Sequence, residues 1–365
     1  MNEKLYQVAL EFIPGIGDVN AKNLIAYCGS ASAVFTAKIS HLKKIPGIGP
    51  KTIDLLSSAK PLHEAERVIK EASKKGIDIH HFTDSSYPEK LKQTIDSPNI
   101  IYSKGTINSW SKVLAIVGTR NATDYGRTIT ERIIEDARDL GLVVVSGLAY
   151  GIDITAHRAA LKANIPTIGV LAGGLDRIYP ASHKKPAEEM LENGGLISEN
   201  PPGIQAEAHF FPARNRIIAG MSDAVVVIEA ARKGGALITA NIADSYNRTV
   251  FAVPGDLENR FSEGCNYLIR NQKALIYTGV DDLKYHLNWD TEKPNAERPV
   301  KHDFSKLPEG DQKLLSTLSD HPAGLAVDEI AWRTQTPINQ LAGNLLNLEF
   351  QGLIKSLPGK KYKLS

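Results

Sequence analysis

The chain has few cysteines and no long apolar run, and each absence excludes a class of protein. Its 365 residues include two cysteines, Cys28 and Cys265, which lie far apart and have no Cys or His at metal-ligand spacing. A disulfide framework and a zinc finger are therefore excluded, and a cytoplasmic location fits. No apolar run reaches the length of about 18 residues that a membrane span needs, and the N-terminus, MNEKLYQVALEF, lacks a secretory pattern. We expect no membrane partner.

The motifs of common nucleotide-binding and hydrolytic enzymes are also missing. Gly118-Thr119-Arg120-Asn121 stands where a dinucleotide-binding enzyme would carry its glycine fingerprint, and neither a Walker A sequence nor a G-x-S-x-G elbow occurs. His157 and His209 are isolated histidines, for which we predict structural roles. We therefore predict that the protein is not an enzyme and has no catalytic residue, metal or cofactor.

A strong excess of one charge is lacking as well, since the net charge is +2. Residues 1–60 nevertheless hold seven lysines against four acids, and the last sixteen residues hold four lysines and no acid. Any nucleic-acid surface must then consist of local patches at the two ends and a pocket in the middle, because net charge averages over such sites.

Pattern and composition divide the chain into three domains. Residues 1–60 are helical, and residues 61–288 are mixed, with a transitional stretch at 61–105. Residues 289–305 form a polar, proline-containing linker, and residues 306–365 are again mainly helical. A chain of this length has room for two or three domains.

The first domain contains an internal repeat. The pentapeptide Ile-Pro-Gly-Ile-Gly occurs at 13–17 and again at 45–49, each time between helical patterns. This resembles the helix-hairpin-helix motif, in which glycines turn the backbone and leave N–H groups for a phosphate. The predicted DNA contacts are Gly15, Gly17, Gly47, Gly49 and Lys51. A spacer or protein-binding role for the hairpins stays open.

The second domain alternates apolar strands with helices. Strands are predicted at 113–117, 142–146, 167–171, 195–198, 224–229, 250–253 and 274–277. Strands that are apolar on both faces indicate an α/β fold with a mostly parallel sheet covered by helices on both sides. Ligands of such sheets bind at the carboxyl ends of the strands.

Small residues and arginines are concentrated at those strand ends and at the helix starts that follow. Backbone N–H groups at helix N-termini and arginine side chains both favour anions, so together they predict one anion site. Its candidate residues are Gly118, Thr119, Arg120, Ser146, Gly147, Arg214, Asn215, Arg216, Gly234 and Gly235.

The third domain has a winged-helix pattern, with helices predicted at 309–319, 327–334 and 337–351 and a small hairpin after them. The third helix, PINQLAGNLLNLEFQG, contains no Arg or Lys, which argues against base reading. Protein contact and phosphate contact by the basic hairpin both stay open.

Seven motifs of the second domain stand in the order of a known family. They are AIVGTRNATDYG, SGLAYGIDITAH, GVLAGGLDRIYP, SENPPG, FPARNRIIAG, GGALITA and VFAVPG. From about residue 77 to 278 the chain resembles the DprA (Smf) family of DNA-processing proteins of bacterial transformation. The resemblance implies an extended Rossmann-like domain that binds single-stranded DNA, and duplex DNA more weakly. It also implies a homodimer that protects incoming strands and loads RecA onto them.

The resemblance also assigns residues. It implies DNA contact by Arg120 and by the glycines and arginines of the anion site. Some relatives carry a basic residue directly after the Tyr-Pro pair, where this chain has Ala181, and whether Lys184 and Lys185 replace it stays open. The implied dimer surface lies in residues 262–277, and its apolar members are Tyr267, Leu268, Ile269, Leu275 and Ile276.

Two enzyme classes are weaker alternatives. The strand and Gly-Gly helix pattern is distantly similar to lysine-decarboxylase-like nucleotide phosphoribohydrolases, but residues 234–241, GGALITAN, lack the second Gly-Thr pair and the acid of that signature. A repair nuclease or ligase subunit, suggested by the hairpin repeat, would need a carboxylate cluster for a metal that the sequence does not reveal.

Overall fold

A computed structural model of the chain describes residues 3–108, 110–289, 304, 307–321, 324–357 and 359–364. The predicted linker, residues 289–305, lies outside the described residues except for Trp289 and Phe304. None of the helices in these ranges combines the length and the apolar character that crossing a membrane requires.

The helices are α1 (Glu3–Ala9), α2 (Asp18–Cys28), α3 (Ala31–Thr36), α4 (Ile39–Leu42), α5 (Pro50–Leu56), α6 (Lys60–Lys74), α7 (Glu89–Lys92), α8 (Asp124–Asp136), α9 (Ile152–Lys162), α10 (Lys184–Glu189), α11 (Phe210–Met221), α12 (Gly235–Ser245), α13 (Glu263–Arg270), α14 (Val280–Leu287), α15 (Glu309–Ser319), α16 (Val327–Thr334) and α17 (Ile338–Phe350). Short 3-10 turns occur at Leu10–Phe12, Arg138–Leu140, Ala181–His183 and Met190–Glu192.

The strands are β1 (Asp78–His81), β2 (Ile100–Gly105), β3 (Lys112–Val117), β4 (Leu142–Ser146), β5 (Thr167–Val170), β6 (Gly194–Ser198), β7 (Ala224–Val227), β8 (Thr249–Ala252), β9 (Leu275–Ile276), β10 (Leu325–Ala326), β11 (Ile354–Leu357) and β12 (Lys361–Leu364). The described residues form two compact units. One contains the chain up to Arg67 together with the residues from Phe304 onward, and the other runs from Val68 to Trp289.

The repeat in the first unit forms two similar hairpins. Gly15 and Gly47 have φ values of 88° and 84°, a left-handed conformation that glycine adopts without a steric penalty. Ile13 and Ile45 are buried, while Gly17 and Gly49 serve as the N-caps of α2 and α5. The repeat therefore holds the hairpins through its isoleucines and exposes the glycine turns.

The three C-terminal helices and a small sheet form the winged-helix domain, with β12 between β10 and β11. Its core is aliphatic and includes Leu314, Leu318, Ile330, Leu345 and Leu348. The domain packs within the same unit as the hairpins, because α16 and α17 lie against α2.

A single glycine marks this contact. Gly29 ends α2 with a φ of 94°, and a Cβ at that position would lie 3.3 Å from the Gln335 carbonyl oxygen and 3.3 Å from the Pro337 ring. Both the backbone conformation and the close approach therefore require glycine here.

In the second unit, nine described strands form one sheet in the order β1-β2-β6-β5-β4-β3-β7-β8-β9. The seven strands β3 to β9 are mutually parallel. β2 pairs antiparallel with β6, and β1 pairs antiparallel with β2. This confirms the predicted α/β fold with a mostly parallel sheet. Buried residues of β3, β4, β7 and β8 pack against α8, α9 and α14 in the core.

Among the elements that the sequence does not predict, two belong to this sheet and its core. β2 lies in the transitional stretch at 61–105, and it forms because it pairs with both β1 and β6. α14 follows the last predicted strand and buries Leu283 against the sheet. Both depend on partners that are distant in sequence.

Strand order reverses at β3. The chain proceeds from β3 through β4 and β5 to β6 on one side, then crosses to β7 on the other side and continues to β8 and β9. A ligand crevice is expected where the order reverses, between the carboxyl ends of β3 and β7.

Candidate nucleic-acid interface

A cavity of ≈ 270 Å³ occupies the crevice between β3 and β7. We call it the switch-point pocket, and its walls include Gly118, Thr119, Arg120, Asn215, Gly234 and Gly235. The structure thus brings together residues from three separate motifs of the sequence.

The turn after β3 is held by backbone hydrogen bonds on both sides. The Thr119 N–H donates to the Glu229 carbonyl at 2.7 Å, and the Ile152 N–H donates to the Thr119 carbonyl at 3.1 Å. These hydrogen bonds fix the backbone immediately before Arg120. The Arg120 side chain is exposed and forms no ion pair within the described residues.

Three helices begin near this crevice, and an internal carboxylate occupies one of their N-termini. Glu229 is buried at the end of β7, and it accepts hydrogen bonds from the Thr123 N–H at 3.0 Å and the Thr123 hydroxyl at 2.5 Å. Thr123 is the N-cap of α8. Since Glu229 already supplies negative charge here, the start of α8 is unavailable to a ligand.

A second carboxylate lies in the first turn of α9. Asp153 accepts a hydrogen bond from the Ala149 N–H at 3.3 Å. Burial raises the pKa of Asp153, and the nearby Arg214 guanidinium partly opposes that rise. The start of α9 is thus also committed internally.

The N-terminus of α12 is different because it begins at two glycines on the pocket wall. Gly234 is the N-cap, Gly235 is exposed, and no acid stands in the first turn. A Cβ at Gly235 would meet nothing within 4 Å, so the approach is open. The first N–H groups of a helix have no intrahelical acceptors and attract anions. This end of α12 and Arg120 are therefore the candidate anion-binding elements of the pocket.

Arg214 forms part of the inner wall of the pocket. It is 4% exposed, and its guanidinium donates to the carbonyl oxygens of Gly147 and Val170. A Cβ on residue 147 would collide with this guanidinium, which explains Gly147. Burial lowers the pKa of Arg214 to about 10, so it stays charged at neutral pH, and Asp153 stabilises that charge.

Two other predicted contacts also hold the site together. Arg216 forms an ion pair with Glu199 and donates to the Asp96 carbonyl. Ser146 is fully buried and donates to the Ile116 carbonyl at 2.6 Å. Ser146 is therefore a supporting residue and not a ligand contact, which corrects the sequence interpretation.

A narrow aromatic cleft adjoins the switch-point pocket and shares Arg120 with it. We define it by Arg120, Tyr150, Arg177, Tyr179 and Phe211. The guanidinium carbon of Arg120 lies 5.0 Å from the centre of the Phe211 ring, within cation–π range. The cleft volume is ≈ 30 Å³, which suits one or two waters and not a base. A base would have to stack on the exposed faces of Tyr150 or Tyr179.

Arg177 was missed by the sequence interpretation. It is exposed and lines the cleft, four positions before Ala181. Lys184 and Lys185 are also exposed, but they pair with Glu188 and Glu189 at 3.8 Å and do not line the described cleft. The sequence does contain a signal for it, because Arg177 lies between the Gly173-Gly174 pair and the Tyr179-Pro180 pair of one motif.

His157 takes a structural place, as the sequence interpretation has it. The ring is buried, and its Nδ1 lies 2.7 Å from the Thr167 hydroxyl oxygen, which itself donates to the Val144 carbonyl. Burial lowers the pKa of His157 to about 3, so the ring is neutral.

Within the described ranges, no group of three or more His, Cys, Asp or Glu side chains is placed to hold a metal ion.

The residues assigned to a dimer surface lie at the far edge of the sheet. Leu275 and Ile276 form the edge strand β9 and are 39% and 48% exposed. Tyr267 and Ile269 are half-buried, and the Arg232 guanidinium lies 5.7 Å from the Tyr267 ring centre. Leu268 is 1% exposed, so it belongs to the core of its own unit and not to an interface.

Comparison with known proteins extends these observations to the whole chain. The family model of DNA recombination-mediator protein A matches residues 78–288, that of the DprA winged helix domain matches residues 301–360, and that of the SAM-like helix-hairpin-helix tandem matches residues 8–59. Both predicted end domains are thereby confirmed in kind.

Individual relatives agree. Protein Smf of Synechocystis sp. is 31% identical over 395 residues, which cover 99% of each chain. The X-ray structure of DNA processing protein A from Streptococcus pneumoniae has a TM-score of 0.59 and 28% identity, and the match covers 78% of this chain and 97% of that one. A Helicobacter pylori relative, studied for its single-stranded DNA binding mode, has a TM-score of 0.53 and 28% identity over 59% of this chain and 97% of that one.

Four of the seven motifs contribute residues to the switch-point pocket, a fifth lines the adjoining aromatic cleft, and the family match covers the unit that carries them. The chain belongs to the DNA recombination-mediator protein A family, the DprA or Smf proteins, and its role is DNA processing.

Proposed function

We propose that this chain is a cytoplasmic protein that binds single-stranded DNA, protects incoming strands and loads RecA onto them in natural transformation. One observation carries the proposal. Arg120, which forms no ion pair within the described residues, and the open N-terminus of α12 lie next to the exposed rings of Tyr150 and Tyr179. Phosphate contacts and stacking are the two interactions that hold a single strand without reading its sequence.

The geometry favours a single strand over a duplex. The switch-point pocket and the aromatic cleft are concave, and a base must leave a duplex stack before it reaches Tyr150 or Tyr179. The relative from Helicobacter pylori, whose structure concerns single-stranded DNA binding, supports the same ligand here. Binding of duplex DNA is expected to be weaker.

We propose a binding role and not catalysis. The buried polar groups around the pocket are committed to structural hydrogen bonds, as Glu229, Asp153 and Arg214 show. The nucleotide phosphoribohydrolase alternative has less support, because the family match covers the same residues and α12 carries no acid in its first turn.

RecA loading and dimerisation rest on family membership. The structure supplies one compatible feature for the dimer, which is the exposed apolar edge at β9. An unpaired strand edge offers both backbone hydrogen-bonding groups and apolar side chains to a second copy. We therefore place the dimer contact at Leu275 and Ile276, flanked by Tyr267 and Ile269.

The decisive experiment is a salt series of electrophoretic titrations with the full chain, comparing a single-stranded oligonucleotide with its duplex, without metal or nucleotide. We expect tighter binding to the single strand at every salt concentration. Equal affinity, or a strict requirement for Mg²⁺, would overturn the proposal. A second arm mixes the bound strand with RecA and expects faster filament assembly than without the protein, and no acceleration would remove the loading role alone.

A further inference from the structure

A third concave surface lies beside the aromatic cleft and is absent from the sequence interpretation. It is a groove of ≈ 520 Å³ between α8, α9 and the turn before α10. We call it the arginine groove, and its walls include Arg120, Arg127, Glu131, Tyr150, Arg158 and His183. It shares Arg120 and Tyr150 with the aromatic cleft, so the two surfaces are continuous.

The charge of this groove is positive. Three of its lining residues are arginines, and Glu131 is the one acid among the described lining residues. Arg158 is exposed and takes part in no ion pair within the described ranges. Arg158 is therefore free to bind an anion.

Arg127 is nearly as available. It forms an ion pair with Asp124 at 2.9 Å, but the Asp124 side chain is 99% exposed. An ion pair in full contact with water contributes little free energy, so a phosphate can replace the carboxylate at small cost.

Tyr150 marks the boundary between the groove and the cleft. Its ring is 51% exposed and meets the buried His183 ring edge-on at 4.9 Å between centroids. His183 is held in turn by the Leu148 carbonyl, 2.8 Å from its Nδ1. This support fixes the orientation of Tyr150 and leaves one face open for a base to stack on.

We propose that the arginine groove binds the continuation of the strand that occupies the switch-point pocket. The backbone runs from Arg120 past Tyr150 to Arg127 and Arg158, which take successive phosphodiesters. The ligand class is the sugar–phosphate backbone of a single-stranded nucleic acid, without base reading. This inference rests on the proposed function and extends its binding site beyond the residues that the family motifs carry.

The test compares Arg158→Ala and Arg127→Ala with the wild-type full chain on oligothymidylates of about four and about sixteen nucleotides, a range typical of single-strand binding sites. Both variants should bind the short strand like the wild type. On the long strand we expect a loss of roughly three- to tenfold and a salt slope lower by about 0.7, as one lost phosphate contact predicts. Both side chains are exposed, so the thermal unfolding midpoint should not change.

Two further variants sharpen the test. Arg132→Ala is the matched control, because Arg132 lies on the same helix as Arg127, is 69% exposed, pairs with Asp136 and does not line the groove. It should bind both strands like the wild type. Glu131→Gln removes the acid from the groove and should tighten binding of the long strand only.

The outcomes separate the inference from the proposed function. If the wild type binds neither strand, the proposed function fails. If it binds both and Arg158→Ala leaves the long strand unaffected, or weakens both strands equally, the groove is not a continuation and the inference is overturned. Millimolar inorganic phosphate is also added as a competitor of the long strand. If it competes equally well in the wild type and in Arg158→Ala, the groove is a site for free phosphate and the inference is overturned.

Discussion

At the scale of single residues, the arginines of the central unit divide into two groups. Arg214 and Arg216 are tied to backbone carbonyls or a carboxylate and build the pocket from inside. Arg120 and Arg177 are exposed on its walls. The division matters because only the second group can exchange water for a phosphate without breaking an internal contact.

Replacing Arg120 should weaken DNA binding without unfolding the protein. Arg120→Ala removes an exposed cation shared by the switch-point pocket and the aromatic cleft. The slope of log affinity against log salt should fall by about 0.7, the share of one phosphate on a single strand. Fluorescence anisotropy over a salt series measures it, with Arg138→Ala, an exposed arginine outside both surfaces, as control. Unchanged affinity, or a lower unfolding midpoint, would show that Arg120 is structural.

Arg177 should supply the cation that Ala181 lacks. We expect Arg177→Ala to weaken single-strand binding several-fold, because Arg177 lines the cleft. Lys184→Ala and Lys185→Ala should stay within about twofold, since neither of these exposed lysines lines the described cleft. The same anisotropy assay ranks the three variants, and a larger effect of either lysine would reverse the assignment.

His157 should make stability depend on pH. Its pKa is about 3 in the folded chain against an ordinary value of 6.5, so the unfolded state binds a proton that the folded state excludes. The stabilisation is complete above 6.5 and is lost as the pH falls towards 3. Between about pH 7.5 and 5.5, urea denaturation should show a loss in the wild type about 1.4 kcal/mol larger than in His157→Gln. His209→Gln, at an exposed histidine, should behave like the wild type, and identical pH profiles for His157→Gln and the wild type would contradict the assignment.

The sequence predicted which residue types gather at the site but not their separate roles. Arg120, Gly234 and Gly235 lie on the pocket wall as expected, because their motifs sit at a strand end and a helix start. Ser146 belongs to the same motifs yet is buried. Whether a strand-end residue faces the pocket or the core depends on the neighbouring strands, which the motif does not contain.

At the scale of elements, the three helix starts at the crevice are unequal. Glu229 accepts a hydrogen bond from the N-cap residue of α8, and Asp153 lies in the first turn of α9. The first turn of α12 contains no acidic residue. A helix N-terminus favours a nearby negative charge, and of these three helix starts only that of α12 has no carboxylate of the protein beside it, so it is the candidate anion site. The sequence predicts the helix starts, but Glu229 meets α8 only through the pairing of β3 with β7.

The edge strand β9 should carry the dimer contact. Ile276→Asp places a charge on a side chain that is 48% exposed at the sheet edge, so folding should survive while association is lost. Light scattering at micromolar concentration should show a dimer for the wild type and a monomer for this variant. Ile95→Asp, at an isoleucine that is 83% exposed outside β9, is the matched control and should stay dimeric. A monomeric wild type would refute the prediction.

At the scale of the whole molecule, the two ends of the chain belong to one unit. α16 and α17 of the winged-helix domain lie against α2 of the hairpin domain, and Gly29 permits the close approach. The third winged-helix helix, α17, also lacks Arg and Lys. Its first role is therefore expected to be protein contact within its own chain, while the exposed hairpin glycines remain available to phosphates.

Deleting either end should affect DNA binding differently. Removal of residues 1–60 takes away seven lysines and four acids, so affinity should fall several-fold at low salt and progressively less as salt rises. Removal of residues 306–365 should leave affinity within about twofold, because α17 offers no cation to phosphates. Titrations of both truncations across a salt series measure this, and a greater loss from the second would exchange the roles of the two ends.

The sequence by itself determined the hairpin repeat, the parallel α/β unit, the winged-helix pattern and the position of Arg120. These follow from glycine conformation, hydrophobic periodicity and strand-end motifs, which are local properties. The tertiary structure decided which arginines bind groups inside the fold, as Arg214 does. It also decided which arginines are exposed on a concave surface, as Arg177 is in the aromatic cleft and Arg158 in the arginine groove. It also decided that Leu268 is core and that β2 is a strand. Burial and strand pairing depend on contacts between residues far apart in the chain, so no local pattern contains them.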